Sequence, residues 1–459
     1  MKKQKRNILV SAAILAAFAV TATGYASESA PQQQQEEQSE EATAKRYVEL
    51  LGEQAYEELM TQFSYTEEMD ALVKDGSLEK SYQSLMRLLG EMKETKTPFV
   101  IEQYGYLTVC VPCQFEVQSI NLQISFLDGK IAGVLTAQYQ EAEPETEKEA
   151  NFTEQEISLS IGDGMELPGT LTLPEGDGPF PLVILVHGSG PNDRDETLLG
   201  NKPFQDIAEG LAQKGIASYR YDKRTYVYQK ELASDKTLTV QEETVNDAVC
   251  AVQQIGSVDV IDKDQIFVAG HSLGGYLIPQ IDDQLQEGQA AGYLFLAAPV
   301  KGMAQLMEEQ YDFLFGLEAS PSDAIKQQKE WIDAELEKLH HLDQYGDEEV
   351  IMGAYVTYWR DLETYDIAQE AVKIEEPCLI LQGEEDYQVT MEEFTSWQKI
   401  FAEKENAKFV SFPGLTHLFM EGKKENGPSD YEKLQHVSQE VIDQIAEFVS
   451  EERGTEQND

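Results

Sequence analysis

The sequence predicts an α/β protein with a mostly parallel sheet and a helical cap, preceded by a small α+β domain. Through residues 154–450, short apolar runs alternate with helical segments, which is typical of a parallel sheet buried on both faces. Residues 43–139 instead place helical segments before strand-like ones, as α+β domains do. Stretches rich in Glu and Gln at 27–42 and 140–153 indicate linkers, and residues 451–459 indicate a polar tail.

Length and charge limit the number of domains and the class of partner. Because domains usually hold about 100–200 residues, we expect two or three of them in this chain. The 459 residues include 84 acidic and 35 basic ones, which gives a net charge of −49. Nucleic acids and anionic membranes would repel such a chain, so neither is expected as a partner. No calcium-loop spacing of carboxylates is visible, and we expect no metal and no cofactor. The sequence leaves the oligomeric state open.

The first 26 residues have the features of a signal peptide. Four basic residues lie within the first six positions, and an apolar run follows from Ile8 to Val20. Gly24 and Ala26 place small residues where a signal peptidase cleaves. The apolar run is short for a membrane span, which needs about 20 residues. We therefore expect a mature chain that starts near Ser27, has no membrane span, and is secreted or associated with the cell envelope. The alternative is an uncleaved anchor.

The small domain begins with helices and ends with strands. Apolar residues recur at helical spacing from Val48 to Phe63, and a second helix is predicted from Leu78 to Met92. Asp128-Gly129 is a hairpin-turn pair between the last two of four segments rich in β-forming residues. The predicted strands are Phe99–Tyr104, Tyr106–Val117, Ser119–Leu127 and Lys130–Tyr139.

Cys110-Val111-Pro112-Cys113 has the spacing of a redox C-x-x-C motif. It lies inside a strand-like run, however, and a redox motif normally uses the start of a helix to stabilise its thiolate. We therefore expect a structural pair of cysteines, whose oxidation state the sequence leaves open. Cys250 and Cys378 lie in apolar runs and are expected to be buried thiols.

The large domain contains six short apolar runs that we predict to be sheet strands. Ahead of them, Glu156 to Leu173 is predicted to form a hairpin that turns at Gly162-Asp163-Gly164. The six strands are Pro181–His187, Ile216–Tyr221, Ile266–Gly270, Tyr293–Ala298, Cys378–Gly383 and Lys408–Phe412.

Residues 301–375 break the alternation, because they have a helical pattern and no strand. A helical insertion at the carboxyl edge of a sheet is a candidate lid over a site. Its largest apolar side chains, Trp331 and Trp359, are candidate substrate contacts, with core packing as the alternative. The predicted apolar face of this cap comprises Ile325, Ile332, Leu336 and Leu339.

The motif Gly270-His271-Ser272-Leu273-Gly274 is the strongest chemical signal in the sequence. An apolar strand runs directly into it and a helical segment follows it. A strand-to-helix turn of that kind needs the flanking glycines and leaves the serine hydroxyl above the sheet. We therefore predict that Ser272 is a catalytic nucleophile.

A serine nucleophile needs a base to accept its proton and a carboxylate to orient that base. Of six histidines, His417 follows the last predicted strand, where a loop can reach over the sheet edge. Asp386 follows the strand before it, and the chain order of Ser272, Asp386 and His417 is that of the α/β-hydrolase triad. Glu384 and Glu385 are the rivals of Asp386.

Donors for an oxyanion are expected from two backbone N–H groups. One belongs to Leu273, directly after the nucleophile, and the other to Ser189, in the glycine-rich loop after the first parallel strand. Gly190 is the rival of Ser189. Two charged triplets, Asp193-Arg194-Asp195 and Asp222-Lys223-Arg224, follow predicted strand ends. They are expected either to bind a charged acyl group or to form ion pairs that hold two loops together.

These motifs together resemble the α/β-hydrolase superfamily, and within it the secreted bacterial serine esterases. The resemblance spans the whole large domain, and as a set the motifs are highly specific. The residues that carry it are His187–Pro191 with Asp193–Asp195, then Arg220–Arg224, Gly270–Gly274, Gly383–Val389 and Leu415–His417.

The resemblance implies an eight-stranded core with the cap inserted after the sixth strand. It implies hydrolysis of a small acyl ester through an acyl-enzyme intermediate. A serine peptidase or amidase, or a thioesterase, would use the same triad. A non-catalytic binding protein on this scaffold is a further hypothesis. The first domain resembles the cone-shaped accessory domain of unknown function that precedes such hydrolases in bacteria.

Overall fold

The structure, a computed structural model, describes residues 40–103, 106–127, 129–138, 151–162 and 164–455. The predicted signal peptide lies outside the described residues, as do most of the two predicted linkers and Asp128 of the predicted turn. Within these ranges, no helix is long and apolar enough to cross a membrane, and no group of His, Cys, Asp or Glu side chains could hold a metal ion.

The first domain consists of four helices followed by an antiparallel sheet. Its elements are α1 (Glu40–Gly52), α2 (Tyr56–Thr61), α3 (Glu67–Lys74), α4 (Ser77–Leu89), β1 (Met92–Thr95), β2 (Phe99–Gln103), β3 (Tyr106–Phe115), β4 (Ile120–Leu127) and β5 (Lys130–Gln138). β3 pairs with β4 along one edge and with β1 and β2 along the other. The helix predicted from Val48 to Phe63 is divided, because α1 ends at Gly52 and Gln54 adopts a φ of 55° before α2 begins. β1 was not predicted.

The two cysteines of the C-x-x-C motif lie on opposite faces of β3. Cys113 belongs to the core between the sheet and the helices, together with the other odd-numbered side chains from Val109 to Phe115. Cys110 lies on the other face, and both thiols are free and buried. The expectation of a structural pair is therefore wrong, because alternation along a strand points the two side chains apart. Burial raises the pKa of Cys110 to about 11 and that of Cys113 to about 12.

The large domain is built on an eight-stranded sheet. Its strands in chain order are β6 (Phe152–Glu156), β9 (Gly169–Pro174), β10 (Phe180–Val186), β11 (Ala217–Tyr221), β12 (Ile261–His271), β13 (Gly292–Leu296), β16 (Cys378–Gly383) and β17 (Ala407–Phe412). The order across the sheet is β17-β16-β13-β12-β10-β11-β9-β6. From β17 to β11 all pairs are parallel, and β9 and β6 extend the sheet antiparallel.

The six predicted parallel strands are all present, whereas the predicted hairpin from Glu156 to Leu173 is not a single unit. Residues Leu159–Gly162 (β7) and Met165–Leu167 (β8) form a separate two-stranded sheet. β9 pairs instead with β6, which begins inside the segment predicted as the second linker. The physical reason is that residues 157–168 leave the sheet, so that the pairing partner of β9 lies earlier in the chain.

Helices cover both faces of this sheet. α5 (Pro203–Ala212) and α16 (Gln439–Thr455) bury one face, through Phe204, Leu211 and Ile445. α8 (Asn246–Ile255) and α15 (Met391–Ile400) bury the other, through Val252 and Trp397. The last helix extends to Thr455, so the predicted polar tail begins later than residue 451. The helices are α5 (Pro203–Ala212), α6 (Arg224–Val227), α7 (Gln229–Leu232), α8 (Asn246–Ile255, after a π-helical turn at Gln241–Val245), α9 (Leu273–Tyr276), α10 (Ile278–Gln284), α15 (Met391–Ile400) and α16 (Gln439–Thr455).

The cap is inserted between the sixth and seventh strands, as the resemblance implies. It consists of α11 (Met303–Gly316), α12 (Asp323–Leu339), α13 (Val356–Glu363) and α14 (Ile367–Ala371). It also contains two short paired strands, β14 (Val350–Ile351) and β15 (Ala354–Tyr355), so the expectation of no strand there is wrong. Ile332, Leu336 and Leu339 of the predicted apolar face are buried in the core, and Ile325 is half-buried.

Candidate active site

Ser272 lies in a tight turn between β12 and α9, with φ 52° and ψ −116°. Two glycines make this turn feasible. A Cβ atom on Gly270 would lie 2.4 Å from the carbonyl oxygen of Gly274, and one on Gly274 would lie 2.4 Å from that of Val186. A side chain at either position would therefore clash with backbone. The turn places Ser272 in the wall of a cavity at the carboxyl edge of the sheet.

His417 and Asp386 meet in the loops after two adjacent strands. Nδ1 of His417 lies 2.7 Å from Oδ2 of Asp386, and both residues are buried. Asp386 is held by the backbone N–H groups of Gln388 and Val389, at 2.7 and 3.0 Å, and by Nε2 of Gln382 at 3.1 Å. His417 lines the same cavity as Ser272. Two of the three predicted residues thus line one cavity, and Asp386 lies next to it through its contact with His417.

The two rival carboxylates point elsewhere. Glu384 accepts a hydrogen bond from the Ser411 hydroxyl, and Glu385 accepts one from the backbone N–H of Lys424. Three other histidines have partners outside the cavity: His340 lies beside Glu308, His341 beside Glu337 and His436 beside Asp206.

The glycine-rich loop after β10 approaches Ser272 closely. A Cβ atom on Gly188 would lie 3.1 Å from that of Ser272. The N–H group of Gly188 is already used, because it donates to Oε1 of Glu196 at 2.7 Å. Ser189 and Gly190 both line the cavity, so the structure brings both oxyanion candidates to the site. The side chain of Leu273 packs in the core, while its N–H group belongs to the first turn of α9, where helical N–H groups have no partner within the helix.

The cavity has a volume of about 180 Å³ and is roofed by α11. Three apolar side chains on one face of that helix, Met303, Leu306 and Met307, line it together with Gln310. None of these residues was among the predicted substrate contacts, and their i, i+3, i+4 spacing was the available signal in the sequence. The other residues that line the cavity include Asn192, Asp193, Thr197, Leu198, Tyr226, Gln388 and Leu418.

Neither tryptophan that was predicted to contact substrate lines this cavity. Trp331 lies on α12 with 60% of its surface exposed. Trp359 is buried in the core, where its indole N–H donates to the carbonyl of Ile351 at 2.7 Å. The prediction was wrong because α11, rather than α12 or α13, lies against the site.

Two carboxylates, the half-buried Glu363 of the cap and the buried Glu393 of the hydrolase core, hold the start of α11 together with one glutamine. Glu363 accepts from the N–H of Ala304 at 2.7 Å, and Glu393 accepts from the N–H groups of Val300 and Lys301. Farther along the helix, Gln310 donates to the carbonyl of Gln388, two residues after Asp386 in the chain. The roof of the cavity is therefore tied to the loop that carries Asp386.

The two charged triplets form ion pairs, which was one of the two expectations for them. Arg194 pairs with Asp222 at 3.0 Å and with Glu156 at 2.6 Å, and Asp195 pairs with Arg220 at 2.8 Å. Lys223 pairs with Glu243 at 3.0 Å and Arg224 pairs with Asp247. Among the described residues of the two triplets, only Asp193 lines the cavity, and its carboxylate accepts from the N–H groups of Asp195 and Thr197.

The chain is similar to known hydrolases and esterases. A sequence model described as the alpha/beta hydrolase family matches residues 183–426. Esterase EstD of Thermotoga maritima is 35% identical over 384 residues, which cover 80% of this chain and 87% of that one. Among solved structures, Est1E from Butyrivibrio proteoclasticus is 18% identical with a TM-score of 0.41, covering 65% of this chain and 99% of that one. The Pyrococcus furiosus esterase Pf2001 is 14% identical with a TM-score of 0.43, covering 68% of this chain and 95% of that one.

Proposed function

Because the chain belongs to the alpha/beta hydrolase family and is an ester hydrolase, we propose that it cleaves small carboxylic esters through an acyl-enzyme intermediate on Ser272. The observation that carries this proposal is that Ser272 and His417 line one cavity, while Asp386 lies 2.7 Å from Nδ1 of His417. The tight turn at Ser272 supports it, since such a turn exposes a serine hydroxyl at the sheet edge.

In the proposed reaction, His417 acts first as base and then as acid. Its Nδ1–H group donates to Asp386, which leaves the lone pair of Nε2 available to accept the proton of the Ser272 hydroxyl. Oγ of Ser272 attacks the ester carbonyl, and a tetrahedral oxyanion forms. As this intermediate collapses, the bond to the alcohol oxygen breaks and that oxygen takes the proton from Nε2. A water molecule then repeats the two steps and releases the acid.

The oxyanion is stabilised in this proposal by two backbone N–H groups. Leu273 supplies one, and Ser189 supplies the other, with Gly190 as its alternative. The use of the Gly188 N–H by Glu196 favours the two residues that follow it in the loop. Donors of this kind are fixed before reaction, so they stabilise the developing charge without reorganising.

We expect Met303, Leu306 and Met307 to form the acyl site, and the small cavity to favour short acyl chains. Met307→Ala shortens a side chain in the roof and enlarges the cavity. The value of kcat/KM for an eight-carbon acyl ester should therefore rise relative to that for a two-carbon ester of the same alcohol. Contact with one additional methylene is worth about 0.8 kcal/mol, or roughly fourfold in kcat/KM. The measurement is the ratio of kcat/KM for the two esters in the variant and in the wild type.

Trp331→Ala is the matched control for that prediction, because Trp331 also lies on the cap but is exposed to solvent. It should leave the ratio unchanged within error. A ratio that responds to Trp331→Ala and not to Met307→Ala would mean that the acyl chain binds elsewhere on the cap.

A matched ester and amide of the same acid and leaving-group size tests the reaction class. We expect turnover of the ester to exceed that of the amide. A preference for the amide would instead indicate a peptidase or amidase that uses the same triad. If an active-site-directed organophosphonate did not label Ser272 in folded protein, the nucleophile assignment itself would fail.

We further propose that the chain is exported and cleaved after Ala26, on the basis of its basic start, apolar run and small residues at 24 and 26. N-terminal sequencing of native protein from a bacterial host should therefore return Ser27 or a neighbouring residue. A native chain that begins within residues 2–6 would show that the segment is retained.

A further inference from the structure

A second histidine–carboxylate pair lies beside the nucleophile and borders the same cavity. His271 precedes Ser272 in the turn, and its Nδ1 lies 2.8 Å from Oε2 of Glu196. Only 5% of His271 and 6% of Glu196 is exposed. The proposed reaction uses neither residue. A buried carboxylate and a buried imidazole at such a distance need a reason, because burying charge is costly unless each group is well paired.

The pair joins the three loops that carry the proposed chemistry. On one side, Oε1 of Glu196 accepts the N–H of Gly188, in the loop of the oxyanion donors, at 2.7 Å. On the other side, Nε2 of His271 lies 3.0 Å from the backbone carbonyl of His417, and the two imidazole rings are 4.6 Å apart between centroids. Because a carbonyl can only accept, Nε2 of His271 carries the hydrogen.

Both nitrogens of His271 thus lie within 3.0 Å of an acceptor oxygen, which favours the doubly protonated imidazole. Burial opposes protonation of His271, but the neighbouring Glu196 carboxylate outweighs it and the pKa of His271 is raised. Burial likewise opposes ionisation of Glu196, and His271 outweighs it, so the pKa of Glu196 is lowered. His187, the other histidine beside Glu196, has a pKa lowered by burial to about 4 and is therefore neutral.

The backbone at Glu196 is adapted to this arrangement. Glu196 has a φ of 53°, in the left-handed region that residues other than glycine, asparagine and aspartate seldom occupy. Such a conformation persists only where the surroundings over-determine it. Gly188 fits closely between the pair and the nucleophile, since a Cβ atom there would lie 3.1 Å from both Oε1 of Glu196 and Cβ of Ser272. The carbonyl of Gly188 is fixed as well, by Nζ of Lys223 at 2.9 Å.

We propose that Glu196 and His271 are positioning residues that hold the oxyanion loop and the backbone of His417 in register with Ser272. This inference rests on the proposed function of Ser272 and His417. Both residues border the cavity, and in this account they act on Gly188 on one side and on the His417 carbonyl on the other rather than on the substrate. Its loss should therefore impair the chemical step more than substrate binding.

Three variants separate the two halves of this role. His271→Phe keeps a ring and removes both donors. His271→Gln keeps a side-chain N–H that can reach the His417 carbonyl, and Glu196→Gln keeps an oxygen for the Gly188 N–H while it removes the charge. We expect His271→Phe to lower kcat by about 10²-fold with little change in KM, because misplacing reacting groups by an ångström costs that much. His271→Gln should recover part of that loss.

A spectroscopic measurement distinguishes positioning from a general loss of stability. The proton between Nδ1 of His417 and Oδ2 of Asp386 should give a low-field proton resonance in wild-type protein. We expect this resonance to shift or broaden in folded His271→Phe and in Glu196→Gln, because the His417 loop is no longer held. His436→Gln is the matched control, since His436 forms a histidine–carboxylate pair with Asp206 at 2.8 Å but is exposed. It should change neither kcat nor the resonance.

The outcomes separate this inference from the proposed function. If Ser272→Ala abolishes ester turnover while folded His271→Phe and Glu196→Gln keep wild-type kcat and an unshifted resonance, the positioning role is wrong and the triad stands. If Ser272→Ala retains turnover, the proposed function itself fails. A loss of kcat in His271→Phe with no recovery in His271→Gln and no change in the resonance would also overturn the inference.

Discussion

Replacing Ser272 with alanine should lower ester turnover by roughly 10³–10⁶-fold while the protein stays folded. Alanine fits the turn without new contacts, since it only removes the hydroxyl from a residue whose backbone hydrogen bond to Leu296 remains. Without Oγ no acyl-enzyme can form, and the residual rate comes from the oxyanion donors and substrate binding alone. Steady-state turnover of a short-chain ester measures the effect, with circular dichroism as the check on folding.

Two companion variants test the triad as a unit. His417→Ala should reduce turnover about as much as Ser272→Ala, because residues that act together do not lose rate additively. Asp386→Asn should lower turnover by the same factor or by less, because asparagine would hold His417 in the wrong tautomer. A folded Ser272→Ala protein that keeps more than about a tenth of wild-type turnover would contradict the whole assignment.

Arg224→Leu should lower the free energy of unfolding by about 3–5 kcal/mol, since it leaves a buried carboxylate unpaired. Nε of Arg224 lies 2.8 Å from Oδ2 of Asp247, a second bond joins the same two groups, and Asp247 is fully buried. The pair fixes α6, which carries Tyr226 into the cavity wall. Urea unfolding followed by tryptophan fluorescence measures the change.

The loss of stability caused by Arg224→Leu should also vary with pH in a definite direction. Burial already raises the pKa of Asp247, and Arg224 opposes that shift. Without the arginine the pKa rises further. Between the unfolded pKa of about 3.9 and the raised value, the folded variant binds a proton that the unfolded chain does not, so its stability falls as pH rises. The deficit relative to wild type should therefore be smaller near pH 5 than near pH 8.

The double variant Arg224→Leu, Asp247→Leu is the control for a charge effect. It removes both charges, so most of the lost stability should return, because a well-packed apolar pair often replaces a buried ion pair at little cost. If the double variant is as unstable as the single one, the loss comes from packing around α6 and the ion-pair argument is wrong.

The sheet could be predicted from the sequence because each parallel strand is a short run buried on both faces. Such a run, as in Cys378–Gly383, leaves little ambiguity about its type or position. The edge of the sheet could not be predicted in the same way. β6 is exposed along almost its whole length and has a polar sequence, Phe-Thr-Glu-Gln-Glu, which resembles the linker before it. Its pairing with β9 depends on contacts across the chain and leaves no local signal.

The candidate site likewise contains residues that a local sequence signal identifies and residues that it does not. Ser272, Asp386 and His417 could be placed because each follows a strand in a fixed order. The roof could not, because periodicity shows that a helix buries one face and does not show what that face covers. Trp331 and Trp359 were chosen for size, whereas the side chains at the cavity are Met303 and Met307. Glu196 was missed because it lies in a run of charged residues, where its burial depends on a partner, His271, that is distant in sequence.

The placement of Cys110 and Cys113 on opposite faces of β3 has a consequence for how the chain reaches its native state. In a flexible chain, thiols three residues apart meet easily. In the strand their Cα atoms are separated by about 10 Å, beyond the roughly 7 Å limit for a disulfide. A disulfide between Cys110 and Cys113 is therefore incompatible with the β3 strand. An oxidant that acts before β3 forms would join the two thiols and prevent the strand from forming, and a reductant would reverse this. Once the sheet has formed and buried both sulfur atoms, the same oxidant should not form the disulfide.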